Sequence, residues 1–290
     1  MMSIALAGAP DMPPDPFLDR LTSTLAEVGG VEAIVLGGSR ARGTDHAGSD
    51  HDVGLYFSKA RPLDTVQLAE VVAKLVDDAH SAQVTEIGGW GPWIVGGAWL
   101  AVEGRKVDLL YRSIEAVGET IAKCRAGDIT MHYQPGHPHG CCSAIWMGEV
   151  ALCRPLHDPR GAVARLKAAA LPYPRALREA LITRFQWEIS FSIENAELAV
   201  SRNEQTHLAG CAYRAIACVA QVLFALNERY LINEKGALSE AAAFSLTIPS
   251  LTSRVTEIWR FIGDSSFTTA LTALRAIDSE VTAMIERPRA

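Results

Sequence analysis

Apolar positions follow two different rhythms along the chain. Up to about residue 113 they come mostly in short runs broken by glycine and polar residues. Val31, Ala33, Ile34, Val35 and Leu36 form one such run, closed by Gly37 and Gly38, and a second run that carries Asp50 and Asp52 follows before Phe57; both predict strands. Residues 98–102 and 107–111 predict two more, joined by the tight turn Glu103-Gly104-Arg105-Lys106. Helical spacing is interleaved with these runs. Phe17, Leu18, Leu21, Leu25 and Val28 line one face of a helix over residues 15–28, stopped by Gly29-Gly30. Residues 62–79 and 114–127 predict two further helices.

From Asp158-Pro159-Arg160 onward the rhythm is helical throughout. Helices are expected over 174–201, 206–230, 239–245, 251–261 and 266–285. Leu177, Leu181, Phe185, Trp187, Ile189 and Phe191 are the expected core of the first. Residues 209–226 are apolar on most sides, which predicts the buried centre of a bundle. Arg214 on that helix needs a partner, and Glu188 and Glu194 are candidates. The expected fold class is α+β: a mixed sheet with flanking helices over 15–157, then an all-helical domain over 158–290, after a lead-in at 1–14. A cleft between the two domains is the expected place for ligands.

Composition narrows this picture. The 290 residues are 49% hydrophobic, enough for a sizeable core, and the formal net charge is −6. That argues against a broad basic nucleic-acid surface, though not against a local basic groove. Six cysteines show no C-x-x-C pair, which points to free thiols in a reducing cytoplasm. The first sixteen residues lack a basic segment and are broken by four prolines, so they predict a lead-in and not a signal peptide. Arg214 and Gln221 within 208–226 favour a buried helix over a membrane span.

Candidate chemistry concentrates between Val31 and Phe57. Asp50 and Asp52 are two residues apart, so on a strand both carboxylates share a face, with His51 and Val53 on the other. Adjacent carboxylates repel unless a cation lies between them, and oxygen ligands suit Mg²⁺. Gly37-Gly38-Ser39 offers a backbone that phosphates can approach closely. Arg40 and Arg42 in the following loop match phosphate geometry, Arg42 the better placed. Asp108 interrupts an apolar strand, which is costly unless it is paired or metal-bound. Trp90 and Trp93 could stack on a base or a substrate ring, but the expected role of each is packing in the core or at the rim. His132, His137 and His139 do not fit the common zinc spacings; the expected role for His137 or His139 is contact with phosphate or acceptor. Lys235, in the turn Asn233-Glu234-Lys235-Gly236, could reach a phosphate or cap the preceding helix.

Gly38-Ser39, ten intervening residues, and Asp50-His51-Asp52 resemble the signature of the polymerase β-like nucleotidyltransferase superfamily. The longer string GGSRARGT…SDHDVGLYF resembles its small bacterial members, antibiotic nucleotidyltransferases included. The resemblance implies a metal site of Asp50, Asp52 and Asp108 holding two Mg²⁺ ions, with Gly38 and Ser39 on the β- and γ-phosphates. It implies transfer of a nucleoside monophosphate, with ATP the donor by family habit, onto a hydroxyl. Glu149 and Glu103 become candidates for a general base. The expected acceptor is a small aminoglycoside-like compound; tRNA or protein acceptors of toxin–antitoxin type, and a nucleotide-binding regulator without turnover, are the alternatives.

Overall fold

The computed structural model describes residues 15–78, 80 and 83–287. The expected lead-in at 1–14 and the end of the second helix at residue 79 lie outside the described residues. The chain forms two compact units. Residues up to 122 together with 148–172 make the first; 123–147 and the chain from 173 onward make the second. The division therefore falls elsewhere than at 157/158.

The elements follow in the order α1 (Pro16–Leu25), β1 (Ala33–Leu36), α2 (Gly38–Arg42), β2 (His51–Phe57), α3 (Thr65–Leu75), β3 (Gly97–Val102), β4 (Arg105–Ser113) and α4 (Ile114–Arg125). After α4 come the two-residue strands β5 (Met131–His132) and β6 (Cys141–Cys142), then α5 (Ile145–Leu152), β7 (Arg154–His157) and α6 (Ala162–Ala170). Five helices complete the chain: α7 (Arg175–Val200), α8 (Gln205–Leu226), α9 (Ala237–Ala242), α10 (Leu251–Gly263) and α11 (Phe267–Glu286).

The first unit is built on a five-stranded mixed sheet in the order β3-β4-β2-β1-β7. Only β2 and β4 are parallel. Asp15 starts α1 by accepting the Phe17 N–H at 3.0 Å, and Asp64 starts α3 by accepting the Gln67 N–H at 2.9 Å. The buried faces of these helices, Phe17, Leu18, Leu21 and Leu25 on α1 and Leu68 and Val72 on α3, cover one side of the sheet. Val53, Leu55 and Phe57 of β2 and Val107, Leu109 and Tyr111 of β4 meet them there. The β3–β4 turn is the tight one expected. Glu103 and Gly104 take φ of 51° and 71°, and the Asp77 carboxylate accepts both their N–H groups at 2.8 and 2.9 Å.

Beyond the short helix α2, a strand and a helix of this unit were not expected from sequence. The edge strand β7 pairs with β1, and Pro155 within it is tolerated because an edge leaves one side of the ladder open. Helix α6 follows it, and the Lys167 ammonium donates to the carbonyls of Ala151 and Cys153 at 2.8 and 2.6 Å.

In the second unit the bundle helices fall close to their expected positions. Thirteen of the 22 residues of α8 are buried. It is long and apolar enough to cross a membrane, but 67% of its most apolar window is buried inside the protein, as a core helix must be. Trp187 and Phe191 depart from expectation. They stack on each other at 4.8 Å but remain 58% and 49% exposed, outside the core. Each of the six cysteines is a free thiol, and all but the half-exposed Cys211 are buried.

The loop between β5 and β6 does not leave its histidines available as a group. His132 contacts Thr130 Oγ1 at 2.8 Å, His137 lies 3.4 Å from Glu234, and His139 is buried in the bundle. This corrects the phosphate or acceptor role expected of His139. Arg214 pairs with Glu188, as expected, and donates to the His139 carbonyl. It also approaches His139 Nδ1 at 3.3 Å, while the Gln221 amide lies 2.9 Å from Nε2. Arginine can only donate, so Nδ1 accepts and Nε2 carries the proton, which requires the Gln221 amide to turn its oxygen towards Nε2 as acceptor. Burial, then the charge of Arg214, hold this imidazole down to a pKa of about 4. Glu188 is held below the usual carboxylate range: burial opposes this, and the hydrogen bond and charge of Arg214 prevail.

A folded histidine near 4 against 6.5 unfolded means the unfolded chain binds the extra proton in that window. Stability therefore falls as pH drops from 6.5 towards 4, by up to about 3 kcal/mol. The thermal midpoint of the protein should drop over that range, and His139→Asn should flatten the drop. A wild-type midpoint that stays level from pH 7 to 4.5 would refute it.

Candidate active site

The glycine-serine turn and the second aspartate are brought into direct contact. The Gly37 N–H donates to the Asp52 carbonyl at 2.7 Å. Gly38 takes a φ of 61°, and a Cβ built there would lie 1.8 Å from Asp52 Oδ2. The carboxylate thus rests against bare backbone, and only glycine leaves it room. Ser39 and Arg42 follow on α2, a single turn where a polar loop was expected, closed by Gly43 at a φ of 67°. Both side chains are half-buried.

Arg40 is committed elsewhere. Its guanidinium donates to the Ser49 carbonyl at 2.7 and 3.1 Å and to the Asp50 carbonyl at 3.2 Å, and it pairs with Asp45 at 3.2 Å. It fastens the loop that delivers Asp50. Asp50 stands immediately before β2, and Asp52 lies on it. His51, between them, is turned to the opposite face as expected. It packs 5.1 Å from the Phe17 ring, and burial, followed by the charge of Arg40, holds its pKa below the usual value.

Asp52 and Asp108 are register partners on β2 and β4, and Trp99 is the partner of Asp108 on β3. Partners in a ladder project to the same face. A row of Asp52, Asp108 and Trp99 therefore crosses three strands on the side opposite α1 and α3. Further along this face the surface closes over. Tyr56 and Arg112 are buried, and Arg112 grips Glu149 with two bonds of 3.0 and 3.1 Å. Burial raises the Tyr56 hydroxyl far above its ordinary range, so it stays neutral. Breaking a pair such as Arg112–Glu149 costs about 3–5 kcal/mol because one charge is left buried.

Both oxygens of Glu149 are thus engaged by Arg112, four residues beyond Asp108 and roughly 13 Å further along the strand. Glu103 is held in an exposed ion pair with Arg20 at 2.7 Å. Lys235 is exposed in the second unit, where its N–H donates to the Asn233 side chain just before α9. It does not cap α8, which ends at Leu226. Sequence reasoning missed Trp99 and Arg112. Trp99 had a signal, an indole in the polar phase of the alternating strand Ala98–Val102. Arg112 had none, because its partner lies 37 residues away.

Among the described residues no three His, Cys, Asp or Glu side chains converge as a ready-made metal cluster. The pair Asp52–Asp108, with Asp50 two residues upstream, remains a hard oxygen donor set. Mg²⁺ usually takes one or two carboxylates and completes its shell with water and substrate phosphate, so the residues present fit it.

Residues 18–116 match the model of the nucleotidyltransferase domain family. Residues 147–235 match that of a domain of unknown function (DUF4037). No curated protein matches the chain. A solved structure of a nucleotidyltransferase-like protein from Exiguobacterium sibiricum 255-15 is similar over 94% of this chain and 81% of its own. It is 9% identical with a TM-score of 0.43, too remote to support any inference. Residues 18–116, within the first unit, are a nucleotidyltransferase domain of the polymerase β-like superfamily, and a mostly helical region follows in the chain. The protein is accordingly a nucleotidyltransferase, an enzyme that moves a nucleoside monophosphate from a nucleoside triphosphate to an acceptor.

Proposed function

We propose that this nucleotidyltransferase is a cytoplasmic, Mg²⁺-dependent enzyme that moves AMP from ATP onto a hydroxyl of a small aminoglycoside-like acceptor. The observation that carries the reading is the contact of Asp52 with Gly38. It sets a carboxylate beside the turn that would hold phosphate, with Asp108 as the next neighbour. Gly38 and Ser39 take the β- and γ-phosphates, and Arg42 adds charge at the end of the same turn. Asp50, Asp52 and Asp108 are the residues that would hold Mg²⁺, up to two ions. When bound, the metal would offset the negative charge on the phosphates and on the entering oxygen. Asp108 orients the acceptor hydroxyl. The acceptor oxygen forms a bond to the α-phosphorus, the bond to the bridging oxygen breaks, pyrophosphate leaves, and the hydroxyl proton passes to water.

Pyrophosphate release tests the reading. Each nucleoside triphosphate is offered with Mg²⁺ and, in separate reactions, kanamycin, a lincosamide and total tRNA. Release that needs ATP and kanamycin supports it. Release with tRNA alone replaces the acceptor, and nucleotide binding with no release from any mixture defeats turnover.

A further inference from the structure

We propose that the stacked pair Trp90–Trp99 is the seat of the acceptor, and that the acceptor it takes is a cationic, hydroxyl-bearing ring such as an aminosugar or aminocyclitol. This rests on the transfer reading of the Asp52–Asp108 row.

Trp99 stands between Ala98 and Leu100, both buried, yet it is itself 67% exposed. Exposing a side chain of this size forgoes much of what its burial would contribute. The indole is not loose. The Trp90 ring stacks on it at 4.6 Å with the planes 22° apart. Trp90 in turn lies against Gly97, two residues before Trp99, where a Cβ would come within 2.8 Å of its ring. Gly97 and Trp99 share a face of β3. A Cβ at this position would first meet the Leu109 carbonyl, at 1.9 Å, and the same bare backbone lets the Trp90 ring lie close beside the exposed one.

Position across the sheet gives the stack its role. The order β1, β2, β4, β3 places the Gly38–Ser39 turn at the end of β1, then Asp52, then Asp108, then Trp99. Strands are about 4.8 Å apart, so Trp99 is about 10 Å from Asp52 at the backbone, on the side away from the turn. In an in-line displacement the entering oxygen arrives opposite the leaving pyrophosphate. If the turn holds the pyrophosphate, the entering hydroxyl comes from the side of Trp99.

The chemistry of the row selects the ring. An indole face attracts an ammonium, and tryptophan is the strongest of the aromatic residues in this. Asp108 and Asp52 share that face, but in the transfer reaction Mg²⁺ would offset their charge, so the indole is what selects the cation.

The test is calorimetric titration of kanamycin into wild type, Trp99→Ala and Trp99→Phe, with ATP titrated separately and pyrophosphate release followed in parallel. Trp99 is largely exposed, so Trp99→Ala should fold, and Trp99→Phe keeps an aromatic face. The expected result is about a tenfold loss of kanamycin affinity in Trp99→Ala, the size of one cation–π contact, recovery in Trp99→Phe, and unchanged ATP affinity. Equal kanamycin affinity in Trp99→Ala overturns the proposal. So does a loss of ATP affinity instead, which would make the stack a seat for the donor base. A wild type that ignores kanamycin but binds uncharged maltotriose, a CCA-ended RNA or neither overturns it as well. Binding that depends on Trp99 without pyrophosphate release would sustain the seat and defeat the transfer reading; release indifferent to Trp99 would do the reverse.

Discussion

Asp52→Asn should reduce nucleotidyl transfer by at least about a thousandfold while the protein stays folded. The carboxylate is half-buried, rests on the Gly38 backbone and has Asp108 as its register partner. Asparagine preserves its size but removes the charge that a divalent cation and the developing transition state require, a loss of about 4 kcal/mol in barrier height. Nucleotide affinity in Mg²⁺ should fall as well. Pyrophosphate release with a competent acceptor reads the first effect, and calorimetry with and without Mg²⁺ reads the second. A variant with a tenth of wild-type turnover would remove Asp52 from the catalytic group.

Gly38→Ala should be nearly as damaging by a different route. Its left-handed φ of 61° costs a side-chain residue about 1–2 kcal/mol, and the new methyl would overlap Asp52 Oδ2. Either the carboxylate swings away or the turn opens, and each separates the phosphate-holding backbone from Asp52. The expected result is a modest fall in thermal midpoint and a loss of turnover of about a hundredfold or more. Gly43→Ala is the control. It has a similar φ of 67°, but a Cβ there meets nothing within 4 Å. It should show the strain without the loss of activity. If both variants lose activity equally, the contact with Asp52 is not what matters.

The parts legible in the sequence were those whose signal is local. A glycine-serine turn followed by alternating Asp50 and Asp52 announces its geometry within twenty residues, and Asp108 betrays itself by being charged in an apolar strand. The long bundle helices α7, α8 and α11 declared themselves by periodicity over 20 residues or more. What escaped was short or depended on distant partners. Residues 154–157 are too few for a pattern, and Pro155 argues against a strand unless the edge position is known. Arg112 and Glu149 each look like ordinary charges until the fold joins them. His139 misled for the same reason: proline and glycine around it suggest an exposed loop, whereas the partners that bury it, Arg214 and Gln221, lie 75 and 82 residues on. Trp187 and Phe191 fit a core spacing, but each is about half exposed.

The pairing of β1 with β7 also sets an order of events during synthesis. Strand β1 ends at Leu36, and its outer neighbour begins only at Arg154. A nascent chain that has emerged as far as the end of β4 therefore carries β1 with one row of backbone groups open to any passing strand. Closing that edge is a contact between residues about 120 apart, the kind that slows folding, and residues 123–147 of the other unit must emerge before it can happen. The nucleotidyltransferase sheet is finished late, and over that interval the ribosome-bound chain has an exposed edge that a chaperone, or another copy of itself, can reach.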